Sequence, residues 1–421
     1  MFSTCAEQWA NDTFQHAELG DKRRTNRLVK VACSLANHIG QSLVQSLDSP
    51  ADVEAAYRLT RNSAIAPQAI AEAGFTATVA HAQRYRCLLA LEDTTTLSFS
   101  HASVADELGY TTSTEKSRGM QVHSVLLFAP EEQQVVGLIE QQRWCRDVSD
   151  YGKSRQRDTR PYEGKESYKW ERASQAVDSR LGEQMANVIS VCDREADIIE
   201  YLRYKTSQKH RFVIRSMQNR RIEESQDKLY DFISQLQSAG ERLVQIRQKG
   251  GRQARVAHCD IRYAEVTLKI PEGKSGEAVR IFYVGCYEKG PEDGLCWHLL
   301  TAEPVNSQED AHKIFSYYEL AVRIHQLRFK GLNKEEAEKE SCETVLSPLA
   351  WKLLWSKQEK CRVPKKAPSL HWAFINLGKL AGWYDSKRTG RVGWERLWEG
   401  WFRLQTLIDG YLLAKSVDLE I

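Results

Sequence analysis

The apolar positions change period along the chain. Over residues 20–36, Leu28, Val31, Ala32 and Leu35 recur at i, i+3, i+4 and i+7, while Arg23, Arg27 and Lys30 gather on the opposite side. That spacing predicts an amphipathic helix with one basic face. A second helix is expected to open at Ser49-Pro50, a capping serine followed by proline at the first helical position. It carries Glu54 and Arg58 one turn apart, a spacing that most often makes a surface ion pair. From Cys87 the period shortens. Cys87–Leu91 is a brief apolar run ending in Glu92-Asp93-Thr94-Thr95, which reads as a buried strand closing on a polar turn. Strands are expected at Val122–Ala129 and Val135–Trp144, then a helix around Tyr168–Leu181. A fourth strand follows at Val188–Cys192, ending in Asp193-Arg194-Glu195-Ala196-Asp197, and a helix over Ile198–Tyr204.

Beyond that point β-type segments dominate: Arg211–Ser216, Leu243–Gln248, Ala254–Ile270, Val279–Tyr287 and Trp297–Val305. Pro364-Lys-Lys-Ala-Pro368 reads as a linker. After it, Trp394, Leu397, Trp398, Trp401, Leu404, Ile408 and Tyr411 follow helical spacing. A stripe so rich in tryptophan is either core or a self-association surface. There is no internal repeat.

Composition narrows the class. At 421 residues, two or three domains are expected. The hydrophobic share of 42% and charged share of 27% are those of a globular protein. No apolar run approaches the roughly 18 residues of a membrane span, so a membrane is not an expected partner. The start, MFSTCAEQWANDTF, has neither the basic nor the apolar part of an export signal. The ten cysteines are scattered, without the spacing of a zinc site. Reduced thiols and a cytoplasmic, nucleoid-associated location of bacterial type are the expectation. The net charge of +3 does not by itself point to nucleic acid. Its distribution says more: cations cluster at Lys22–Arg24, Lys153–Arg160, Arg220-Arg221 and Arg252–Arg255, as phosphate contacts or as solvated loops.

The carboxylates supply candidate chemistry. Three strands, a helix, a strand and a helix, with an aspartate closing strands one and four, is the order of an RNase H-like α/β fold. Two such aspartates can share one or two Mg²⁺ ions, a hard cation that binds few carboxylates and keeps room for a substrate phosphate. A metal pair of that kind activates the attacking oxygen and stabilises the leaving one in phosphoryl transfer. Each aspartate also has an ordinary reading. Asp93 is a turn former, and Asp193 caps the next helix with Glu195 and Asp197 in its positive first turn.

The stretches ELGDKRRTNRL, AAYRLTRN, LLALEDTTTLSF, SRGMQVHSVLL, ESYKW, VISVCDREADI, RFVIRS, WHLLTAEPV, ETVLSP and DSKRTGRVGWERLWEGW, in this order, carry a resemblance. The chain resembles the Tn-five-type transposases of the IS-four group over nearly its whole length. The resemblance implies a helical DNA-end-binding domain over 1–68 and the first part of an RNase H-like core over 69–205. It further implies a β-rich insertion over 206–305, a remnant of the core's C-terminal part over 306–363 and a helical dimerisation domain over 364–421. Such proteins excise their element by metal-dependent nicking, hairpin formation and opening, and then strand transfer, as dimers holding two DNA ends. The resemblance makes Asp93 and Asp193 the metal-binding catalytic pair for Mg²⁺ or Mn²⁺. Arg24, Arg27, Glu54 and Arg58 become contacts to double-stranded transposon ends. Lys169 and Arg215 match basic positions near the DNA backbone, and Trp297 matches a tryptophan that stacks on a flipped base.

The departures concern the third carboxylate. The family carries tyrosine, arginine, glutamate and lysine at fixed spacing on the helix after the insertion. Tyr318 fits the tyrosine, but the arginine position falls on Ala321 and the glutamate position on His325. The run from SYYE into LAVRIHQLRFKGL resembles family sequence from further on, implying an internal deletion after Tyr318 or Glu319. Rescue by Glu319, Glu335, Glu336, Glu338 or Glu340 is not expected, because a ligand needs placement within a fraction of an ångström. Asn37-His38 and Met120-Gln121 also replace residues the family uses. Two readings follow. One is a metal-dependent transposase. The other, favoured by the altered segment, is a catalytically defective relative that binds ends, dimerises with itself or with an intact transposase, and inhibits transposition.

Overall fold

In the computed structural model the described residues are 6–384 apart from 39–41, 100, 112–116, 133, 154–158, 247–254, 291–293, 325–333, 340, 345 and 360, together with 397, 400, 403, 404, 406–408, 410, 411, 414 and 415. The architecture is mixed α/β. The first helices are α1 (Ala6–Phe14), α2 (Lys22–Asn37), α3 (Leu43–Ser46) and α4 (Pro50–Thr60), with Asp21 and Ser49 capping α2 and α4. Leu28, Val31 and Ala32 are buried as their spacing requires, whereas Leu35 stays exposed near the end of α2. Helix α5 (Pro67–Ala82) leaves this cluster and packs on the sheet through Val79 and Ala82.

The strands β1 (Leu88–Phe99), β2 (Gly109–Tyr110), β3 (Arg118–Ala129), β4 (Gln134–Trp144), β5 (Val188–Cys192), β6 (Arg211–Arg215), β7 (Gly240–Ile246), β8 (Arg255–Leu268), β9 (Val279–Glu288) and β10 (Cys296–Thr301) form a single sheet. Its order is β3-β1-β5-β6-β10-β9-β8-β7, with β2 and β4 both paired to β3. β3 runs antiparallel to both β4 and β1, while β1, β5 and β6 run parallel. The later β segments therefore continue the same sheet through the β6–β10 pair rather than building a separate one.

One expectation fails in β1. The strand does not close on a turn at Glu92–Thr95; it continues to Phe99, paired throughout with β3. The polar run is threonine-rich, and β-branched residues suit an extended strand. Thr94 and Thr96 also make cross-strand bonds to His123 and Gln121, 3.0 and 2.8 Å long.

Alternation sorts each strand between two faces. Leu89, Ile189, Val191 and Val213 face helix α9, for which we number α6 (Lys169–Leu181), α7 (Ile199–Ser207), α8 (Leu229–Gln235) and α9 (Gln308–Ile324) in chain order. From α9, Ala311, Ile314, Phe315 and Tyr318 meet that face at one-turn intervals, each large side chain contributing about 1.5–3 kcal/mol of burial. Leu88, Ala90, Val188, Phe212 and Ile214 face α6, α7 and α8. Gly182, at φ 54°, ends α6 in a conformation that costs a side chain energy.

A further helical cluster joins Leu346, Trp351 and Leu354 to Ala373, Leu377, Leu397 and Leu404. Val363 and Ala367 pack on it and Cys342 N–H donates to the Pro368 carbonyl, so the proline-flanked stretch crosses a core where a linker between cores was expected. Of the C-terminal apolar stripe, Leu397 and Leu404 are buried in this chain's own core, Ile408 packs beside them and Tyr411 is exposed. Trp394, Trp398 and Trp401 lie outside the described residues. No helix among the described residues is long and apolar enough to cross a membrane.

Candidate metal and nucleic-acid site

The last parallel pair between β1 and β5 is Glu92 with Cys192. The next residue on each strand is Asp93 and Asp193, and Asp193 remains extended at φ −80° and ψ −169°. The two aspartates therefore stand side by side at about one interstrand spacing, roughly 5 Å between backbones. Parity sends both side chains to the face covered by α9, alongside Leu91 and Val191. Asp193 reaches solvent, yet its carboxyl is raised above the ordinary range by desolvation and then by the nearby Glu195 and Asp93 charges. A neighbouring cation would relieve that crowding, and the donors are hard carboxylate oxygens, so the pair fits Mg²⁺ or Mn²⁺.

Other expected residues converge on the same end. Arg215 closes β6, and Trp297 lies on β10 two positions from Leu299, the partner of Arg215. The Trp297 ring meets Tyr318 edge-on at 5.7 Å and Phe315 at 6.5 Å. Burial raises the Tyr318 phenol, with the Arg215 guanidinium beside it acting against the rise. Lys169 arrives from the opposite layer: its ammonium lies over the Trp170 ring, 5.5 Å from the centroid, and meets Glu195 at 3.1 Å. Asp93, Asp193, Lys169, Arg215, Trp297 and Tyr318, drawn from widely separated segments of sequence, thus share one end of the sheet.

The bland reading of Asp193 is also realised in part. It caps a short 3-10 turn over Arg194–Ala196 by accepting from Glu195 N–H at 2.8 Å; helix α7 begins only at Ile199. Asp197 was expected in the first turn of that helix, but it turns inward. It accepts from Met217 and Gln218 N–H at 2.7 and 2.8 Å and from the Arg220 guanidinium at 2.7 Å. Arg220 is thereby committed to the interior, so neither alternative for its cluster, phosphate contact or solvated loop, describes it. Spacing alone could not separate Asp193 from Asp197.

The acidic residue that follows Tyr318 on α9 is also committed. Glu319 pairs with Arg242 of β7 at 2.8 Å, and the same guanidinium contacts the His312 ring at 3.0 Å. Among the described residues no set of three or more His, Cys, Asp or Glu side chains is arranged to hold a metal. Ala321 lies on α9, Glu335, Glu336 and Glu338 lie on the helix Lys334–Lys339, and His325 and Glu340 are outside the described residues.

The N-terminal candidates sit apart from this site. Arg27 and Lys30 of α2 meet Asp52 of α4 at 2.9 and 2.6 Å, and with Ser49 they hold its carboxyl down to about 2. Arg24 donates to the Leu19 carbonyl at 2.9 Å, while Arg23 projects fully into solvent. Glu54 and Arg58 form the exposed one-turn ion pair at 3.0 Å. The basic face is therefore built by braced side chains: two of its cations cross-link α2 to α4 and leave the rest of each guanidinium or ammonium to a partner. Residues 6–65, which span these helices, match the family described as transposase DNA-binding, and this supports a DNA-binding protein of transposase type.

Proposed function

We propose that this chain is a cut-and-paste transposase relative of the Tn-five-like IS-four group, with an RNase H-like core, that binds transposon ends but is defective in cutting them. One juxtaposition carries the reading: a transposase-type DNA-binding segment on the same chain as a register-matched aspartate pair at the open end of parallel strands. The β4-β3-β1-β5-β6 arrangement, three antiparallel strands followed by two parallel ones, supports the RNase H-like assignment.

Asp93 and Asp193 would hold Mg²⁺ or Mn²⁺, which when bound supplies charge stabilisation for phosphoryl transfer. The chain's own groups do the rest. Arg215 and Lys169 present positive charge to a backbone phosphate, and Trp297 offers an aromatic face to an unstacked base. What supports the defect is the segment after Tyr318, where alanine and histidine occupy the arginine and glutamate positions and Glu319 is bound to Arg242. Because Leu397 and Leu404 serve this chain's core, a homodimer or mixed dimer would form through other positions of the C-terminal stripe.

Cleavage of a labelled transposon end in Mg²⁺ or Mn²⁺, beside an Asp193→Ala control, tests the defect. End binding without nicks or hairpins is the expected result; metal-dependent hairpins that disappear in the control would sink it. The DNA-binding half has its own test. Changing Arg23, Arg27 and Lys30 together to glutamine should flatten the salt dependence of end binding by up to roughly 3 in log–log slope, about 0.9 for each phosphate no longer neutralised. An unchanged slope would remove the α2 face from the interface.

A further inference from the structure

Asp93 sits where β1 loses a neighbour. Its parallel partner ends at Cys192, opposite Glu92, so from Asp93 onward the ladder holds β1 through β3 alone. On the other face of the strand, His123 of β3 spans this point. Its Nδ1 lies 3.0 Å from the Thr94 hydroxyl and its Nε2 lies 3.6 Å from a Glu92 carboxylate oxygen. The imidazole is thereby hydrogen-bonded to Thr94 and lies against Glu92, the two residues that flank Asp93. It is fully buried and rests edge-on against Trp170 at 4.6 Å, and Trp170 is itself 1% exposed. The adjoining residue, Lys169, pairs with Glu195 beside Asp193. Helix α6 therefore braces the two strand ends through consecutive side chains.

We propose that His123 is a positioning residue for the Asp93 carboxylate: by bonding Thr94 to β3 and packing against Glu92, it fixes the local pleat and so the direction in which Asp93 leaves the strand. In an extended chain, neighbouring side chains point to opposite faces, so immobilising both flanking residues leaves Asp93 one direction. The inference rests on the reading of Asp93 and Asp193 as metal ligands. Partners that orient a metal ligand typically change affinity about 10- to 100-fold when removed.

The test is Mn²⁺ uptake by the full chain, followed by electron paramagnetic resonance of free Mn²⁺ and by calorimetry, with Asp93→Asn as the reference for loss of the site. His123→Ala is expected to weaken Mn²⁺ binding by about tenfold or more. His123→Asn, whose amide can replace the Nδ1 contact to Thr94, is expected to recover most of it. A merely structural role would not give that rescue. Thr94→Val, nearly isosteric, breaks the same tie and should also weaken uptake; it decides the matter if His123→Ala does not fold. Folded variants that bind Mn²⁺ as the parent does would overturn the positioning role alone. A parent chain with no uptake sensitive to Asp93→Asn would instead overturn the metal reading on which it rests.

Discussion

Replacing Asp197 by alanine is expected to destabilise the protein by about 3–5 kcal/mol, the cost of stranding a buried charge partner. Asp197 is 4% exposed, and its carboxylate receives Met217 N–H, Gln218 N–H, the Ser216 hydroxyl and Arg220. Its removal leaves the Met217 and Gln218 N–H groups without that acceptor and the largely buried Arg220 guanidinium without its counter-charge. Arg220 also donates to the Asp197 carbonyl at 2.8 Å, so the loop after β5 and the segment after β6 are tied at two points. These are the segments that begin at Asp193 and follow Arg215, and both should lose order together. Asp197→Asn keeps one good acceptor and should cost less, about 1–3 kcal/mol. Urea midpoints at constant m-value measure both. An alanine variant within about 1 kcal/mol of the parent would show that the network adds little to stability.

Acidification should weaken the fold through His298. Burial, and then the Arg215 charge, depress its pKa from 6.5 to about 4. The imidazole stacks on Tyr230 at 3.7 Å between ring centres, and the Tyr283 hydroxyl and the Cys296 thiol meet its two nitrogens. Between these pH values the unfolded chain takes up a proton that the folded one refuses. Stability contributed by the neutral ring is therefore full above pH 6.5, falls as the pH drops through the window and levels off below about 4. The gap corresponds to about 3 kcal/mol as an order of magnitude. His298→Leu fills the space without titrating, so the difference between parent and variant should shrink or reverse toward pH 4. Parallel stability curves from pH 7 to pH 4 would rule the ring out as the source. His298 adjoins Trp297, and its carbonyl accepts from Ser216 N–H at 2.7 Å, so the strand end that carries Trp297 is the part that would loosen.

Much of the architecture was legible because it is written in local spacing. The α2 stripe, the Ser49-Pro50 start of α4 and strands β3, β4 and β5 follow from periodicity and capping, which depend on neighbours within a few residues. The end of β1 was not legible. A polar Glu-Asp-Thr-Thr run reads as a turn until His123 and Gln121, about 25 to 30 residues away, are seen to bond Thr94 and the next-following Thr96. The Pro364–Pro368 stretch misled in the same way: two prolines describe a stiff backbone and say nothing about the core packed beneath it.

The candidate site divides along the same line. The sequence by itself picked out the candidates: two aspartates following apolar runs from the order of elements, and, through the family resemblance alone, a tryptophan within WHLLTAEP and the departure after Tyr318. Local period places the aspartates, and likeness of motif marks the others. Only the tertiary structure decided that Asp93 and Asp193 fall in one register, that Asp197 is an internal anchor and that Glu319 belongs to Arg242. It also placed one imidazole across both neighbours of Asp93. The physical reason is that strand register and charge pairing are settled between segments distant in sequence, where a shift of one residue would turn every side chain to the opposite face.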